Sequence, residues 1–203
     1  MMPSVDILIH QAQLAEREGR RDDARSLFER ALYSLRRVED GKMASTLLRW
    51  IGRTYQADSD IDAAMDCLDA AIAVGELAGD AASVGHAINV QAIVHQQRGD
   101  LDTAESMYLT SRARAIEAGE MRLAAMTALN LGVIAVVRGD HEKTLRYYRT
   151  SLAEFRTLGA PKEVLMALNN MAMLCTDLER WDDAVRAFEE AVLRLKEVLD
   201  CNL

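Results

Sequence analysis

Two arginines one helical turn apart are the residues whose types and spacing most directly suggest binding chemistry. Arg49 and Arg53 are separated by four positions, so in a helix they lie on one face. Two guanidinium groups on one face can clamp a carboxylate through charge-assisted hydrogen bonds. The alternative is that one arginine pairs with a neighbouring acidic side chain while the other is solvated.

Other chemistry-bearing side chains form no recognisable catalytic or metal site. Asp58, Asp60 and Asp62 imitate the start of an EF-hand loop, but Ala63 and Asp69 stand where that loop needs Gly and Glu. No nucleotide-binding loop or nucleophile motif occurs. We therefore expect no metal, no cofactor and no enzymatic activity. The histidines also lack the spacing of zinc ligands: His10, His86, His95 and His141.

Composition restricts the partners and the compartment. The formal net charge of −8 argues against general binding of nucleic acid. No apolar run is long enough to span a membrane, which takes about 18 residues, and the N-terminus does not resemble a signal peptide. The cysteines are odd in number and widely spaced, which favours reduced thiols and a cytoplasmic location: Cys67, Cys175 and Cys201.

A 40-residue period, present five times, organises the whole chain. One register holds turn residues: Gly19, Ser59, Gly99, Gly139 and Glu179. A second holds mainly aromatic residues: Phe28, Leu68, Tyr108, Tyr148 and Phe188. Three further registers hold mostly small residues, such as Ala12, Gly52, Ala92, Gly132 and Ala172. Recurring small, aromatic and turn positions predict stacked units, each burying one face on the next.

Each period divides into two helical patterns joined by a corner. Gly lets the first helix end in a left-handed turn, and Asp caps the second. First helices are predicted near 5–18, 43–57, 81–98, 121–138 and 162–179, and second helices near 22–38, 61–78, 101–118, 141–158 and 182–200. We predict a single array over residues 1–203, with repeats at about 5–40, 41–80, 81–120, 121–160 and 161–201.

The repeat resembles the tetratricopeptide repeat, whose pattern is W-x2-L-G-x2-Y followed by A-x3-F and A. Repeat two carries the pattern as Leu48, Ile51, Gly52, Tyr55, Ala64, Leu68 and Ala71. The resemblance implies an all-α fold, a right-handed superhelix of five helix-turn-helix units and about ten antiparallel helices. The proline that ends each unit of the family is absent, and Arg36, Glu76, Ile116, Arg156 and Lys196 occupy that position. This departure, with the longer period, resembles the extended subclass of kinesin-light-chain-like adaptors and bacterial regulators.

In the family, the first helices line a concave groove that binds the ligand. Carried over by register, the resemblance implies a peptide-binding groove lined by Arg49, Arg53, His86, Asn89, Met126, Leu129, Asn130, Val133, Val137, Asn169, Asn170 and Met173. The Asn amides would bond the main chain of a guest, or alternatively a neighbouring helix within the stack. The apolar run near Val133 would bind side chains, unless adjacent units bury it.

These features favour a non-enzymatic module that binds a protein or peptide partner. Two alternatives stay open. One is a regulatory or sensor domain of a larger signalling enzyme or transcription regulator. The other is a structural homodimer or higher homo-oligomer through the C-terminal helix, where Leu195, Val198 and Leu199 would leave apolar surface uncovered.

Overall fold

Ten α-helices make up nearly all of the chain that the structure describes. The structure is a computed structural model that describes residues 3–35 and 40–200, with side chains up to residue 195. The helices are α1 (Val5–Arg17), α2 (Arg21–Ser34), α3 (Gly41–Ala57), α4 (Ile61–Leu77), α5 (Ala81–Gln97), α6 (Leu101–Glu117), α7 (Met121–Val137), α8 (His141–Thr157), α9 (Pro161–Asp177) and α10 (Trp181–Asp200). Within those residues there is no β-strand, and the predicted all-α fold of paired helices is confirmed.

The predicted helix bounds agree with the structure to within two residues, except in α2. That helix was expected to continue to residue 38, but it ends at Ser34, because Leu35 has the extended backbone angles φ −70° and ψ 128°. Part of the following joint, including Arg36 of the repeat pattern, lies outside the described residues.

The corners between paired helices use the left-handed backbone that the turn register predicts. Ser59 and Glu179 have φ angles of 65° and 56°, although neither is glycine. The other three positions of that register are glycines with positive φ: Gly19, Gly99 and Gly139. The second helix then begins at an acidic cap in repeats two to four, where a carboxylate accepts a hydrogen bond from a backbone N–H. The three caps are Asp60, Asp100 and Asp140.

Small residues allow the paired helices to approach closely. The Ser111 hydroxyl of α6 donates to the backbone carbonyl of Gly85 in α5, with an O···O distance of 2.8 Å. A Cβ added to Gly132 of α7 would lie 2.5 Å from Cδ1 of Tyr148 in α8. Such a distance is shorter than van der Waals contact, so the small-residue register is a packing requirement.

The helices form two compact units, residues 1–118 and residues 119–203. In the first unit α1 pairs with α2, α3 with α4 and α5 with α6, while α2 packs on α3 and α4 on α5. In the second unit α7 pairs with α8 and α9 with α10, while α8 packs on α9. Each unit is therefore a stack of helix pairs, and the single array over residues 1–203 stays a prediction. In the described part of the chain, every helix is too short or too polar to cross a membrane.

Candidate partner-binding site

The first helices of consecutive repeats lie side by side in the first unit. The guanidinium of Arg53 in α3 forms an ion pair with Glu16 of α1. The side-chain amide of Gln56 in α3 donates to Gln97 Oε1 of α5, with an N···O distance of 3.0 Å. The side chains of α1, α3 and α5 thus share one surface, which we call the first-helix face of the first unit.

Arg49 lies on this face in an unusual environment. Its side chain is half-buried, and Cζ lies 5.6 Å from the centroid of the Trp50 ring. Its Nε atom is buried and has no hydrogen-bond partner within the described residues. Burial, followed by the like charge of Arg53, lowers the pKa of Arg49 to about 10, while Glu16 opposes this shift.

The arginine pair is therefore partly committed to internal contacts. Arg53 pairs with an acidic neighbour, which was the alternative to the carboxylate clamp for one of the two arginines. Arg49 is half-buried beside Trp50, so it differs from the solvated arginine of that alternative. A two-arginine clamp on a ligand would have to compete with Glu16 for Arg53.

His86 and Asn89 of α5 also lie at the predicted register. Both side chains are half-buried, and both interact with other groups of the protein. For Asn89 this agrees with the alternative of a local partner, as expected for a partly buried amide. Neither residue presents a freely exposed polar group.

In the second unit, a side-chain ion pair joins α7 to α9. Nε of Arg122 in α7 donates to Glu163 Oε1 of α9 at 3.0 Å. We call the surface that α7 and α9 share the first-helix face of the second unit. The α7 residues of this face have the spacing i, i+4, i+7 and i+11, which keeps them on one side of the helix. These residues are Met126, Asn130, Val133 and Val137.

Exposure increases along this row of α7. Met126 and Val133 are partly buried and pack against the core of the unit. Asn130 is half-buried and interacts with other groups of the protein. Val137, in contrast, has 64% of its surface exposed. The end of α7 therefore offers apolar surface, whereas its middle is largely used for packing.

The equivalent row of α9 is more open. Met173 is 55% exposed, and the exposed amide of Asn169 donates to its sulfur with an N···S distance of 3.6 Å. Asn170 is half-buried, and its amide makes no hydrogen bond within the described residues. Apolar and amide groups thus alternate on α9, and both can reach a ligand.

Leu129 does not belong to the exposed face. It is 2% exposed and packs in the same core cluster as Tyr148 and Leu152 of α8. Leu129 precedes Asn130 by one residue, which is a rotation of about 100° around a helix. That rotation directs its side chain into the helix pair, so it offers no surface to a ligand.

Two residues, one on the first-helix face of each unit, escaped the sequence-based prediction. Met166 is 38% exposed and stands 40 positions after Met126, so the period alone could have identified it. Glu16, the partner of Arg53, had no such signal, because an ion pair between different repeats depends on how consecutive repeats pack together.

The residues set aside as chemically inactive have structural roles. Asp58 pairs with Arg25, with an N···O distance of 2.7 Å, and Asp60 caps α4. Cys67 and Cys175 are free thiols that lie among packed side chains, and burial raises the pKa of both. Cys201 lies outside the described residues. Within the described part of the chain, no cluster of His, Cys, Asp or Glu could hold a metal ion.

Two protein-family models match the sequence, and both are described as "Tetratricopeptide repeat". One matches residues 123–197, within the second unit. The other matches residues 7–30 and 89–109, within the first unit. Comparison of the sequence with curated proteins finds no match.

Solved structures share the fold at low sequence identity. A kinesin light chain with nearly identical repeats from Podospora anserina has a TM-score of 0.64 and 14% identity, with 96% of each chain covered. The Rap conjugation gene regulator of plasmid pLS20, solved with the Phr* peptide, has a TM-score of 0.79 and 14% identity over 95% of this chain. The quorum sensor NprR from B. thuringiensis has a TM-score of 0.75 and 17% identity over 93% of this chain. The chain spans about half of these last two proteins, 53% of each.

Proposed function

Because this chain is a tetratricopeptide-repeat protein of the extended, 40-residue type, we propose that it is a non-enzymatic interaction module that binds a peptide or helix of a partner protein. The proposed site is the first-helix face of the second unit. The observation that carries the proposal is the exposed row of α9, where Met173 and the amide of Asn170 are both available to a ligand.

The amide supports recognition of a main chain. Asn carries an acceptor and two donors, and Asn170 uses none of them for hydrogen bonds within the described residues. A peptide backbone offers matching carbonyl and N–H groups at every residue. Asn170 would therefore hold the backbone of a bound peptide, whatever side chains that peptide carries.

The apolar residues support recognition of side chains. Val137 and Met173 are 64% and 55% exposed, and removing apolar surface from water favours association. Methionine adapts its shape to different partners. We therefore infer a ligand with at least two apolar side chains next to a segment of accessible backbone.

Arg49 supports an acidic ligand group at the first unit. A half-buried guanidinium with an unpartnered Nε is an energetic cost that a carboxylate would relieve. Arg53 would then contribute only by exchanging Glu16 for the ligand. This contact is a separate element of the proposal, and it predicts that Arg49→Met weakens the binding of selected peptides that carry a carboxylate.

A regulatory role is the second candidate. It is supported by the similarity to a conjugation gene regulator solved with a peptide and to a quorum sensor. In that case the bound peptide would control another activity, and its binding residues would be the same.

Selection from a random peptide library displayed on phage tests the proposed site. The full chain is the bait, and selected peptides are synthesised and measured by calorimetry against wild type, Asn170→Ala and Met173→Glu. We expect each substitution to weaken binding at least about tenfold, which corresponds to the loss of one good contact. Val133→Asp is unsuitable here, because Val133 packs against the core.

Ala153→Glu is the matched control, since Ala153 is exposed on α8, on the second helix of the pair. It should bind selected peptides with wild-type affinity. Peptides that bind all three variants as tightly as wild type would place the binding surface elsewhere and refute the assignment to α9.

A further inference from the structure

The last helix exposes a continuous apolar stripe. Its five residues follow alternating spacings of four and three, which places them along one side of a helix. Their exposed fractions are 59% for Trp181, 54% for Val185, 43% for Phe188, 55% for Val192 and 42% for Leu195. This row of large exposed side chains is typical of an interface, and we call it the α10 stripe.

Within the chain, the following repeat helps to cover two of these five registers in another second helix. Tyr148 and Leu152 of α8 stand 40 positions before Phe188 and Val192. They are 3% and 4% exposed, in a cluster that includes Val164 of α9. In α4, Leu68 is fully buried with Val90 and Val94 of α5. The α10 stripe is therefore the second-helix half of an interface between repeats.

The first helix exposes the other half of that interface. Ile7 and Leu14 of α1 are 50% and 47% exposed. The residues at the same two registers of α3, α5 and α9 are at most 4% exposed, because a preceding second helix packs on those helices. They are Leu47 and Thr54, Ala87 and Val94, and Ala167 and Leu174.

We propose that copies of this chain associate head to tail, with α1 of one copy packed on the α10 stripe of another. The contact would repeat the packing of α5 on α4 and of α9 on α8. The α10 stripe of one copy and the exposed side of α1 in the other would then cover each other. A two-fold pairing of α10 with α10 would cover the stripe but leave Ile7 and Leu14 exposed. A head-to-tail contact is heterologous, so it either extends into an open chain of copies or closes into a ring.

Two variants that each lose one half of the contact test the proposal. Val185→Asp with Val192→Lys removes the α10 half, and Ile7→Asp with Leu14→Lys removes the α1 half. In each variant the introduced Asp lies nearer the N-terminus of the helix and the introduced Lys nearer its C-terminus, which suits the helix dipole. Multi-angle light scattering over a concentration series should show a wild-type mass that rises above that of the monomer. The association of each variant alone should be weakened at least about 100-fold by the two buried charges.

Mixing the two variants gives the decisive result, because each then supplies the half that the other lacks. We expect the mixture to form a 1:1 dimer and nothing larger, while Leu77→Lys, at an exposed position of α4, associates as wild type does. A wild-type chain that stays monomeric at all concentrations would overturn the proposal. So would an α1 variant that dimerises alone, which indicates two-fold α10 pairing, or a mixture that stays monomeric. The single substitutions Val192→Lys and Leu14→Lys replace a double variant whose circular dichroism shows loss of helix.

Discussion

Gly132 of α7 lies directly against the ring of Tyr148 in α8, with no room for a methyl group between them. An added Cβ would lie 2.5 Å from Tyr148 Cδ1, and Tyr148 is itself 3% exposed in the core. The contact joins the small-residue register of the first helix to the aromatic register of the second. It explains why both registers recur with the same period.

Gly132→Ala should lower the free energy of unfolding by about 1 to 3 kcal/mol through overpacking. A loss of stability would point to overpacking, because Gly→Ala inside a helix otherwise stabilises by about 1 kcal/mol. Urea unfolding followed by circular dichroism measures the change. In the Tyr148→Leu background the same substitution should cost less, because the ring is gone. An alanine variant at least as stable as wild type would contradict this packing.

Ser59→Gly and Glu179→Gly should each stabilise the fold by roughly 1 kcal/mol. Both residues have positive φ, at 65° and 56°, a conformation that costs a non-glycine residue about 1 to 2 kcal/mol. Thermal unfolding of the two variants measures the gain. Gly99→Ala is the matched reverse change at φ 80° and should destabilise. Equal melting temperatures for all four proteins would show that these corners are not strained.

Arg49→Met should be more stable than wild type near pH 7, and this difference should shrink as the pH rises above about 10. Burial lowers the pKa of Arg49 from 12.5 to about 10 in the folded chain. Between about pH 10 and pH 12.5 the unfolded state therefore binds more protons than the folded state. The free energy of unfolding of the wild type rises with pH over that range. Urea midpoints of both proteins across this range measure the effect.

Arg53→Met is the control for that experiment. Arg53 forms an ion pair with Glu16 but also places a like charge near Arg49, so its removal should change stability near pH 7 by less than about 1 kcal/mol. A constant difference between Arg49→Met and wild type from pH 8 to pH 12 would show that the buried guanidinium carries no titration cost.

The local pattern of the sequence was sufficient to predict most of the fold. The turn register predicted the left-handed corners at Gly19 and Ser59, and the acidic residues predicted the cap at Asp60. The early end of α2 was missed, because nothing in the helical pattern after Ser34 marks the extended backbone of Leu35.

The candidate site was only partly predictable, because a register does not give exposure. Asn170 and Leu129 were both expected on the binding face, yet Leu129 is buried within the helix pair. The partner of Arg53 depends on how the first repeat packs on the second, which no single repeat encodes. Uncovered apolar surface on α10 was expected at Leu195, which is 42% exposed, whereas the exposure of Ile7 was not anticipated. The other two residues of that expectation, Val198 and Leu199, lie outside the residues whose side chains the structure describes.

Photo-crosslinking tests most directly whether α9, on the first-helix face of the second unit, binds peptide. A photoreactive phenylalanine analogue replaces Met173 in one protein and Ala153 of α8 in another, and each is irradiated with a labelled peptide from the library selection. We expect a crosslink from position 173 that excess unlabelled peptide abolishes, and none from position 153. A competed crosslink from position 153 alone would contradict binding at α9.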